Sequence, residues 1–297
     1  MDFRQLIYFI TVVEHGTFTK AATALHVSQP SLSASIKKLE INTGLQLLKR
    51  NTRSLEVTKE GYIVYQEAKK LFHHYNHVNK EIQRLKQHGP QELSIGLIES
   101  ANFWVPKILQ RFRKTYPQAK IKLHEVLSLT DVEKSLHHFD IHLAITNQYV
   151  KSHDIEATPI YEEQLVAILP RKHRLLQKQT ALEMKDFQDE AFIICKEGFQ
   201  TRADILNAFN KAGITPAFAF EIERFETACR LVDEGLGITI LPETYVKHEI
   251  NGTYQIKSIS DSNISRHVYI AYEKNHYLPP IVVHFIDLIK NFFSESD

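Results

Sequence analysis

Gln29, Ser33 and Lys37 recur at every fourth position in the stretch SQPSLSASIKKLE, residues 28–40. At helical spacing they share one face with Ala34 and Lys38. The chemistry such a face can do is recognition. A glutamine amide can hydrogen-bond base edges, a lysine ammonium can neutralise phosphate, and small residues let a helix approach another surface closely. The opposite face is apolar, with Leu32, Ile36 and Leu39 at i, i+4 and i+7. Ser28 is suited to cap this helix, because its hydroxyl can accept an orphan N–H of the first turn. Pro30 follows inside that turn, where a missing N–H costs nothing. Alone, these residues are equally consistent with a solvated helix face carrying two lysines.

The elements that would position this face lie on either side. FRQLIYFITVVEHG reads as a helix with Leu6, Phe9, Ile10 and Val13 on one side, ended by Gly16. TFTKAATALHV follows, with Phe18, Ala21, Ala22 and Leu25 at helical spacing, and the two alanines suit closely crossing helices. Two short helices joined by a turn, the second starting at Ser28, make a helix-turn-helix. In GLQLLKRNTRSLEVT, Leu45, Leu47 and Leu48 are apolar, and Leu55 and Val57 alternate with polar neighbours as a short strand would. Lys49, Arg50 and Arg53 fall in the intervening turn. A basic hairpin beside a helix-turn-helix is a wing, suited to DNA backbone or minor groove.

Residues 1–58 resemble the winged helix-turn-helix of LysR-type transcriptional regulators. The carriers are the Phe9-x-x-Val12 region, FTKAATALHVSQPSLSASIKKLE and LLKRNTRSLEVTKEG, with Thr58 and Gly61 also matching the family pattern. The resemblance implies double-stranded promoter DNA as a partner. The candidate DNA-binding residues are Thr17, Lys20, Ser28, Gln29, Pro30, Ser31, Ser33, Ala34, Lys37, Lys38, Arg50 and Arg53. The sequence departs from the pattern at Ala34 and Ser35, where family members often carry longer polar residues. That shifts the expected base readout towards Gln29, Ser33 and Lys37.

A chain of 297 residues is long enough for about two domains. Its net charge of +1 hides an asymmetry: residues 1–88 hold 13 Lys+Arg against 7 Asp+Glu, and residues 89–297 hold 23 against 28. A basic front and an acidic back fit a nucleic-acid-binding head joined to a domain with other work. Between them, Val64, Ala68, Leu71, Tyr75, Val78, Ile82 and Leu85 alternate steps of 4 and 3, a heptad seam on one long helix from Thr58 to about Gln87. Gly89–Pro90 should break that helix. A helix this long without an adjacent partner suggests an intermolecular seam, although it could also lie on its own domain. The resemblance implies an antiparallel linker pair in a dimer, and a dimer of dimers.

Beyond Pro90 the pattern alternates. ELSIGLI, AKIKLHEVL and FDIHLAIT read as strands, separated by the helices NFWVPKILQRFRKTYP and TDVEKSLHH. EEQLVAILP at 162–170 opens a second unit, continued by AFIICKE, RADILNAFNKAG, AFAFEIE, FETACRLVDEG and GITILPE. RHVYIAYE and PPIVVHFIDLIKNFFS close the chain. This predicts two α/β subdomains on mostly parallel sheets, with crossovers near 161–165 and 263–267. The motifs Pro106-x-x-Leu109-x-x-Phe112-x-x-x-Tyr116-Pro117, Asp140-x-x-Leu143-Ala144-Ile145 and Val232-x-x-Gly235-x-Gly237-Ile238-x-Ile240-Leu241-Pro242 resemble the LysR-type regulatory domain, similar in architecture to periplasmic solute-binding proteins. The expected organisation is a winged head at 1–58, a linker helix at 59–88 and a regulatory domain at 89–297. Its subdomain I would span 89–161 and 267–297, and its subdomain II 162–266.

In an open α/β sheet a ligand sits beyond the carboxyl ends of strands, at helix N-termini. The candidates there are Ser100, Ala101, Asn102, Ser128, Leu129, Thr130, Thr146 with Asn147, Phe199, Gln200, Thr201, Arg202, Arg224 and Phe225. Each hydroxyl alone could simply cap a helix. Together they favour a small organic anion, although Glu99 counts against a highly charged one. Other features carry less chemistry. His73–His74 and His137–His138 are adjacent pairs that point apart on a helix, and no zinc spacing appears. Gly235-x-Gly237 lacks the third glycine of a dinucleotide fingerprint and reads as a turn. Cys195 and Cys229 read as core residues. No nucleophile elbow or phosphate loop appears, so no enzyme and no cofactor are expected. No apolar run approaches a membrane span, and MDFRQL lacks a signal region, which predicts a cytoplasmic protein. The reading is a transcriptional regulator with a small-molecule effector, RNA polymerase being a further partner implied by the resemblance. The alternatives are a redox-sensing or effector-independent regulator of the same family, and a solute-binding protein.

Overall fold

The computed structural model describes residues 1–50, 55–86, 91–248, 252–260, 264–274 and 276–294. It divides into two compact units, Met1–Gly89 with His137–Phe139, and Pro90–Leu136 with Asp140–Asp297. Arg53, the Arg50 side chain, the expected helix break at Gly89–Pro90 and residue 263 of the second expected crossover lie outside the described residues.

The first unit runs α1 (Phe3–His15), α2 (Phe18–Ala24), α3 (Gln29–Thr43), β1 (Leu48–Arg50), β2 (Leu55–Val57) and α4 (Lys59–Lys86). Each of the first three helices starts at a side-chain cap. Asp2 accepts from Gln5 N at 2.9 Å while the Gln5 side chain accepts from Asp2 N at 3.1 Å, a reciprocal capping box. Thr17 and Ser28 accept from Lys20 N and Ser31 N at 3.2 and 3.3 Å. Leu6, Phe9 and Val12 of α1 meet Ala21 and Ala22 of α2 and Leu32, Ile36 and Leu39 of α3 in one core. Glu40 then fixes the hairpin to α3: its Oε1 accepts from Leu47 N at 2.8 Å and Leu48 N at 3.1 Å. Thr58 caps α4, accepting from Gly61 N at 2.8 Å. A Cβ at Gly61 would stand 2.1 Å from Leu47 O, so only glycine permits this approach.

The expected α4 seam divides. Ala68 is buried in the head core, with Val64, Tyr65 and Phe72 packed against it. Leu71, Tyr75, Val78, Ile82 and Leu85 are 41–64% exposed. The start of the seam is therefore intramolecular, Tyr75 also sets its ring 4.8 Å from that of Phe3, and Leu71, Val78, Ile82 and Leu85 form an exposed apolar stripe.

The second unit contains β3 (Glu92–Leu97), α5 (Val105–Thr115), β4 (Lys120–Glu125), α6 (Leu129–His137), β5 (Leu143–Thr146) and β6 (Ile155–Leu169). It continues with β7 (Ala191–Cys195), α7 (Gln200–Lys211), β8 (Ala217–Ile222), α8 (Phe225–Asp233), β9 (Thr239–Pro242) and α9 (Glu243–His248). β10 (Gln255–Lys257), β11 (Ser265–Glu273) and α10 (Pro280–Ser294) complete it. A 3-10 turn at Glu99–Phe103 precedes α5. Strand order is β10-β6-β11-β5-β3-β4, with β9 also on β6.

The expectation of mostly parallel sheets needs correction. Parallel pairing joins β3 to β4 and β5, and β7 to β8. The pairs β11–β5, β11–β6, β10–β6 and β6–β9 are antiparallel. The cause is β6: it begins seven residues before the strand expected at 162 and runs continuously from one half to the other. β11 returns beside it, from Ser265 opposite Gln164 to Glu273 opposite Ile155. These two strands are the crossovers. Each half keeps its own core. Ile95, Leu143 and Phe112 pack with Ile281, Phe285 and Ile289 of α10, so the last helix does return to the first half. Burying one such side chain contributes roughly 1.5–3 kcal/mol. The second half is built on Phe187, Phe192 and Phe209 on one side of its strands, and on Ile168, Phe225 and Leu241 on the other. Gly237 fits between β7 and β9 because a Cβ there would lie 2.6 Å from Ala191 O.

Candidate functional site

The first candidate surface is the outer face of α3. The core holds Leu32, Ile36 and Leu39, so the helix turns Gln29, Pro30, Ser31, Ala34, Lys37 and Lys38 outward, all exposed. Ser33 was expected among them and is half-buried, one step closer to the core edge. Thr17, Lys20 and Ser28 are exposed, with Thr17 and Ser28 also serving as caps. Lys49 stands exposed on β1, opposite Glu56 of β2. The face thus offers one amide, the exposed hydroxyl of Ser31 and lysines, on a rigidly packed support.

The second candidate is the cleft between the two halves of the second unit. Aromatic and polar contacts cross it, the former between Phe103 and the rings of Tyr245 and His248. Ser128 and Phe199 form an antiparallel bridge, and Gln148 Nε2 donates to Gly198 O at 3.4 Å. Arg224 pairs with Glu125. Glu99, on the turn after β3, accepts from Phe225 N, at the start of α8, at 3.2 and 3.3 Å through its two oxygens. The cleft holds two spaces. The inner one is about 10 Å³ and is lined by Glu99, Ser100, Asn147, Thr201, Phe225 and Arg266 among others. That is near the volume one water centre needs. The outer one is about 400 Å³, and Leu127 and Phe199 wall both.

The expected effector residues divide accordingly. Ser100, Phe199, Gln200, Thr201 and Phe225 line the inner space, and Ser128, Thr130, Phe199 and Arg224 line the outer. Ala101, Asn102, Leu129, Thr146 and Arg202 line neither. Ala101 is in the core, Asn102 is exposed, and Thr146 accepts from Gln148 N at 3.2 Å. Arg202 turns away, donating to Cys195 O at 2.7 Å and to Glu221 at 2.8 Å.

The charge at the base of the cleft comes instead from Arg266 on β11, which the sequence reading missed. Its side chain is 5% exposed. It donates to Glu163 Oε2 from Nε at 3.0 Å and from Nη2 at 2.8 Å, to Thr201 Oγ1 at 2.8 Å and to Asp204 at 3.3 Å. Asn147, its amide turned so that oxygen faces the guanidinium, accepts from it at 3.1 and 3.2 Å. Burial opposes the charge, but Glu163 and Asp204 outweigh it and hold the Arg266 pKa above its ordinary value. The signal was present in the sequence: Glu163 and Arg266 each put a charge at the mouth of an apolar strand, one on each crossover.

Glu99 is 7% exposed, and burial pushes its carboxyl up to about 7, against the opposing pull of Phe225 N–H and Arg224. Ser100 Oγ is buried without a hydrogen-bond partner among the described residues, and its neighbour Tyr161 Oη accepts from Trp104 Nε1 at 3.3 Å. Cys195 is buried, and burial followed by the Glu99 charge pushes its thiol up to about 12, the opposite of a reactive thiolate. Cys229 is buried in the core cluster that contains Cys195. Of the histidines weighed for metal, His74 is exposed and His73, His137 and His138 are half-buried. Among the described residues no cluster of His, Cys, Asp and Glu could hold a metal ion, and no helix is long and apolar enough to cross a membrane.

Comparison with known proteins covers both units. Residues 3–62 match the bacterial regulatory helix-turn-helix protein, lysR family, and residues 86–294 match the LysR substrate binding domain. The transcriptional regulator AlsR of Bacillus subtilis (strain 168) is 30% identical over 292 residues, 97% of this chain and 95% of AlsR. Full-length CbnR, solved in complex with its target DNA, is similar with a TM-score of 0.67 at 23% identity, over 98% of this chain and 99% of CbnR. The regulatory domain of Synechocystis PCC6803 CcmR, solved in complex with 2-PG, gives 0.63 at 22% identity, over 68% of this chain and 97% of that domain.

Proposed function

Because the chain belongs to the LysR family of transcriptional regulators, we propose that it reads promoter DNA through the exposed face of α3 and answers to a small organic anion in the cleft of its second unit. The observation that carries the DNA reading is the outward set Gln29, Ser31, Ala34, Lys37 and Lys38 on a helix whose other side is locked in the head core. Gln29 reads base edges, the lysines neutralise phosphates, and Ala34 permits close approach. Arg50 and Arg53 of the wing hold the backbone and minor groove. CbnR, of the same fold, was solved on its target DNA.

The domain limits follow the sequence reading: head 1–58, linker helix 59–88, regulatory domain 89–297. The exposed stripe Leu71–Leu85 joins two copies through α4, and regulatory domains associate dimers into tetramers. Two heads then meet half-sites about one turn, ~34–36 Å, or a multiple apart. The effector changes the opening of the cleft between the halves held by β6 and β11. That alters head spacing, DNA bending and access by RNA polymerase in the cytoplasm. A redox-sensing version is disfavoured by the buried, thiol-form Cys195.

The test is a melting screen of the full chain against organic acids. A ligand at about 100 times its Kd stabilises the fold by ~2.7 kcal/mol. The shift should vanish in Ser100→Ala or Thr201→Val. A shift of equal size in both variants would refute the cleft as the site.

A further inference from the structure

We propose that Glu99 is a tethered competitor for the effector: its carboxylate holds the anion position at the start of α8, and a monocarboxylate takes that position only as Glu99 takes up a proton. This rests on the cleft being the effector site.

The argument begins with what an anion could find there. Each basic side chain of the cleft already has a carboxylate. Arg266 has Glu163 and Asp204, Arg224 has Glu125, and Lys196 has Glu223 at 2.7 Å. The helix starts remain: that of α7, whose Gln200 and Thr201 line the inner space, and that of α8, nine residues long, where backbone N–H groups and the helix dipole favour negative charge. Glu99 occupies the start of α8, bound to Phe225 N. Beside it Ser100 Oγ lines the inner space, 1% exposed and without a hydrogen-bond partner of good geometry among the described residues, with the Tyr161 hydroxyl as its neighbour. Thr201 and Asn147 line the same space. These groups suit one carboxylate.

A second negative charge would be opposed. The outer space is lined by Glu125, Asp131, Glu197 and Glu223 against Lys196 and Arg224. A monocarboxylate beside an ionised Glu99 is also opposed, because two buried carboxylates in contact cannot both stay charged. The charged or titratable groups facing Glu99 are Arg224 and Glu226 at α8, Glu125 on β4 and Cys195 on β7, with Arg266 of β11 across the inner space. Arg224 is itself neutralised by Glu125, so among the described residues no unpaired cation of the cleft relieves the conflict. Protonation of Glu99 does. The carboxyl of Glu99 already stands at about 7, within reach of ordinary pH. Effector and proton enter together, with no net charge added. The inner space of about 10 Å³ must also widen, by movement of Leu127 and Phe199, which admits small acids first.

The experiment titrates full-length protein with sodium propionate and sodium benzoate, and with their amides, at pH 6 and pH 8. Trp104, the single tryptophan, directly follows the turn that carries Glu99 and Ser100, and its fluorescence reads binding. With the free carboxyl titrating at about 7, Kd for the acid should rise about tenfold from pH 6 to pH 8. In Glu99→Gln it should stay within about twofold across that range. Calorimetry of the unaltered protein in buffers of different ionisation enthalpy keeps the test independent of the variant's folding. It should show close to one proton taken up per acid at pH 8 and about a tenth of that at pH 6. Acid binding that is independent of pH, or without proton uptake at pH 8, would overturn the role of Glu99 while leaving the cleft as an anion site. Amides binding as tightly as acids at both pH values would overturn it as well. Failure of both acids to bind at pH 6 would overturn the anion reading of the cleft and this inference with it.

Discussion

Replacing Arg266 with methionine tests how the cleft is held. The guanidinium is buried between the two crossover strands and α7, and it satisfies one oxygen of Glu163 twice over. Glu163 is 1% exposed, and its other oxygen has no partner among the described residues. Arg266→Met would therefore leave a carboxylate buried with nothing to offset its lost hydration. Breaking a buried pair from one side costs about 3–5 kcal/mol, whereas replacing both partners with neutral groups costs far less. Arg266→Met should lower stability by that amount, and the double variant Glu163→Gln/Arg266→Met should recover on the order of 2 kcal/mol or more relative to the sum of the singles. Urea unfolding followed by Trp104 fluorescence reports this unit specifically, because Trp104 belongs to its core and is the single tryptophan. The comparison requires equal m-values. A single-variant cost below about 1 kcal/mol, or strict additivity, would refute the claim that this pair is an uncompensated charge when broken.

The pH dependence of stability follows from Glu99. Its carboxyl is raised in the folded protein, so its contribution is most favourable below the ordinary carboxylate pKa and is lost as pH rises through about 7. Glu99→Gln should accordingly be more stable than the unaltered protein at pH 8, by up to roughly 3 kcal/mol, with a much smaller gain at pH 5; a loss at pH 8 in urea unfolding would contradict this. Lys37→Ala should weaken DNA binding evenly across sequences and reduce the slope of log K against log salt by about 0.9. An unchanged slope in a fluorescence-anisotropy titration would remove Lys37 from the phosphate contacts. Ile82→Glu, in the exposed stripe of α4, should convert dimers to monomers in sedimentation at micromolar concentration without lowering the melting temperature of the head. A dimer of unchanged strength would place the interface elsewhere.

The head was almost wholly legible in the sequence, because short-range signals decide it. Ser28 was read as a cap and is one, the apolar positions fall at helical spacing, and Gly61, read only as a family match, sits where Leu47 O leaves no room for a side chain; the caps at Asp2 and Thr17 were missed. Ser33 was misjudged as exposed because periodicity assigns a face, not how far the core reaches round it. The α/β half was legible as alternation and not as pairing. Strand direction depends on where the chain returns, and nothing local in Ile155–Leu169 says that one strand serves both halves. The heptad seam had the same limit: spacing could not reveal that Ala68 lies in the head core while Ile82 is open. In the cleft, helix starts after strands gave Ser100, Thr201 and Phe225. Arg202 and Arg224 were favoured for their position, yet both are paired, and Arg266 comes from a strand 65 residues beyond Thr201 in the chain.

The most direct test of the account is selection of the full chain on randomised duplex DNA, followed by sequencing of the bound fraction. The account predicts enrichment of an inverted repeat with half-sites about one helical turn, or a multiple, apart. It also predicts that Gln29→Ala relaxes the preference at one position within each half-site, each lost contact being worth about 1–3 kcal/mol. Enrichment of no motif over the starting pool, or an identical motif from Gln29→Ala and Lys37→Ala, would contradict the claim that α3 reads DNA.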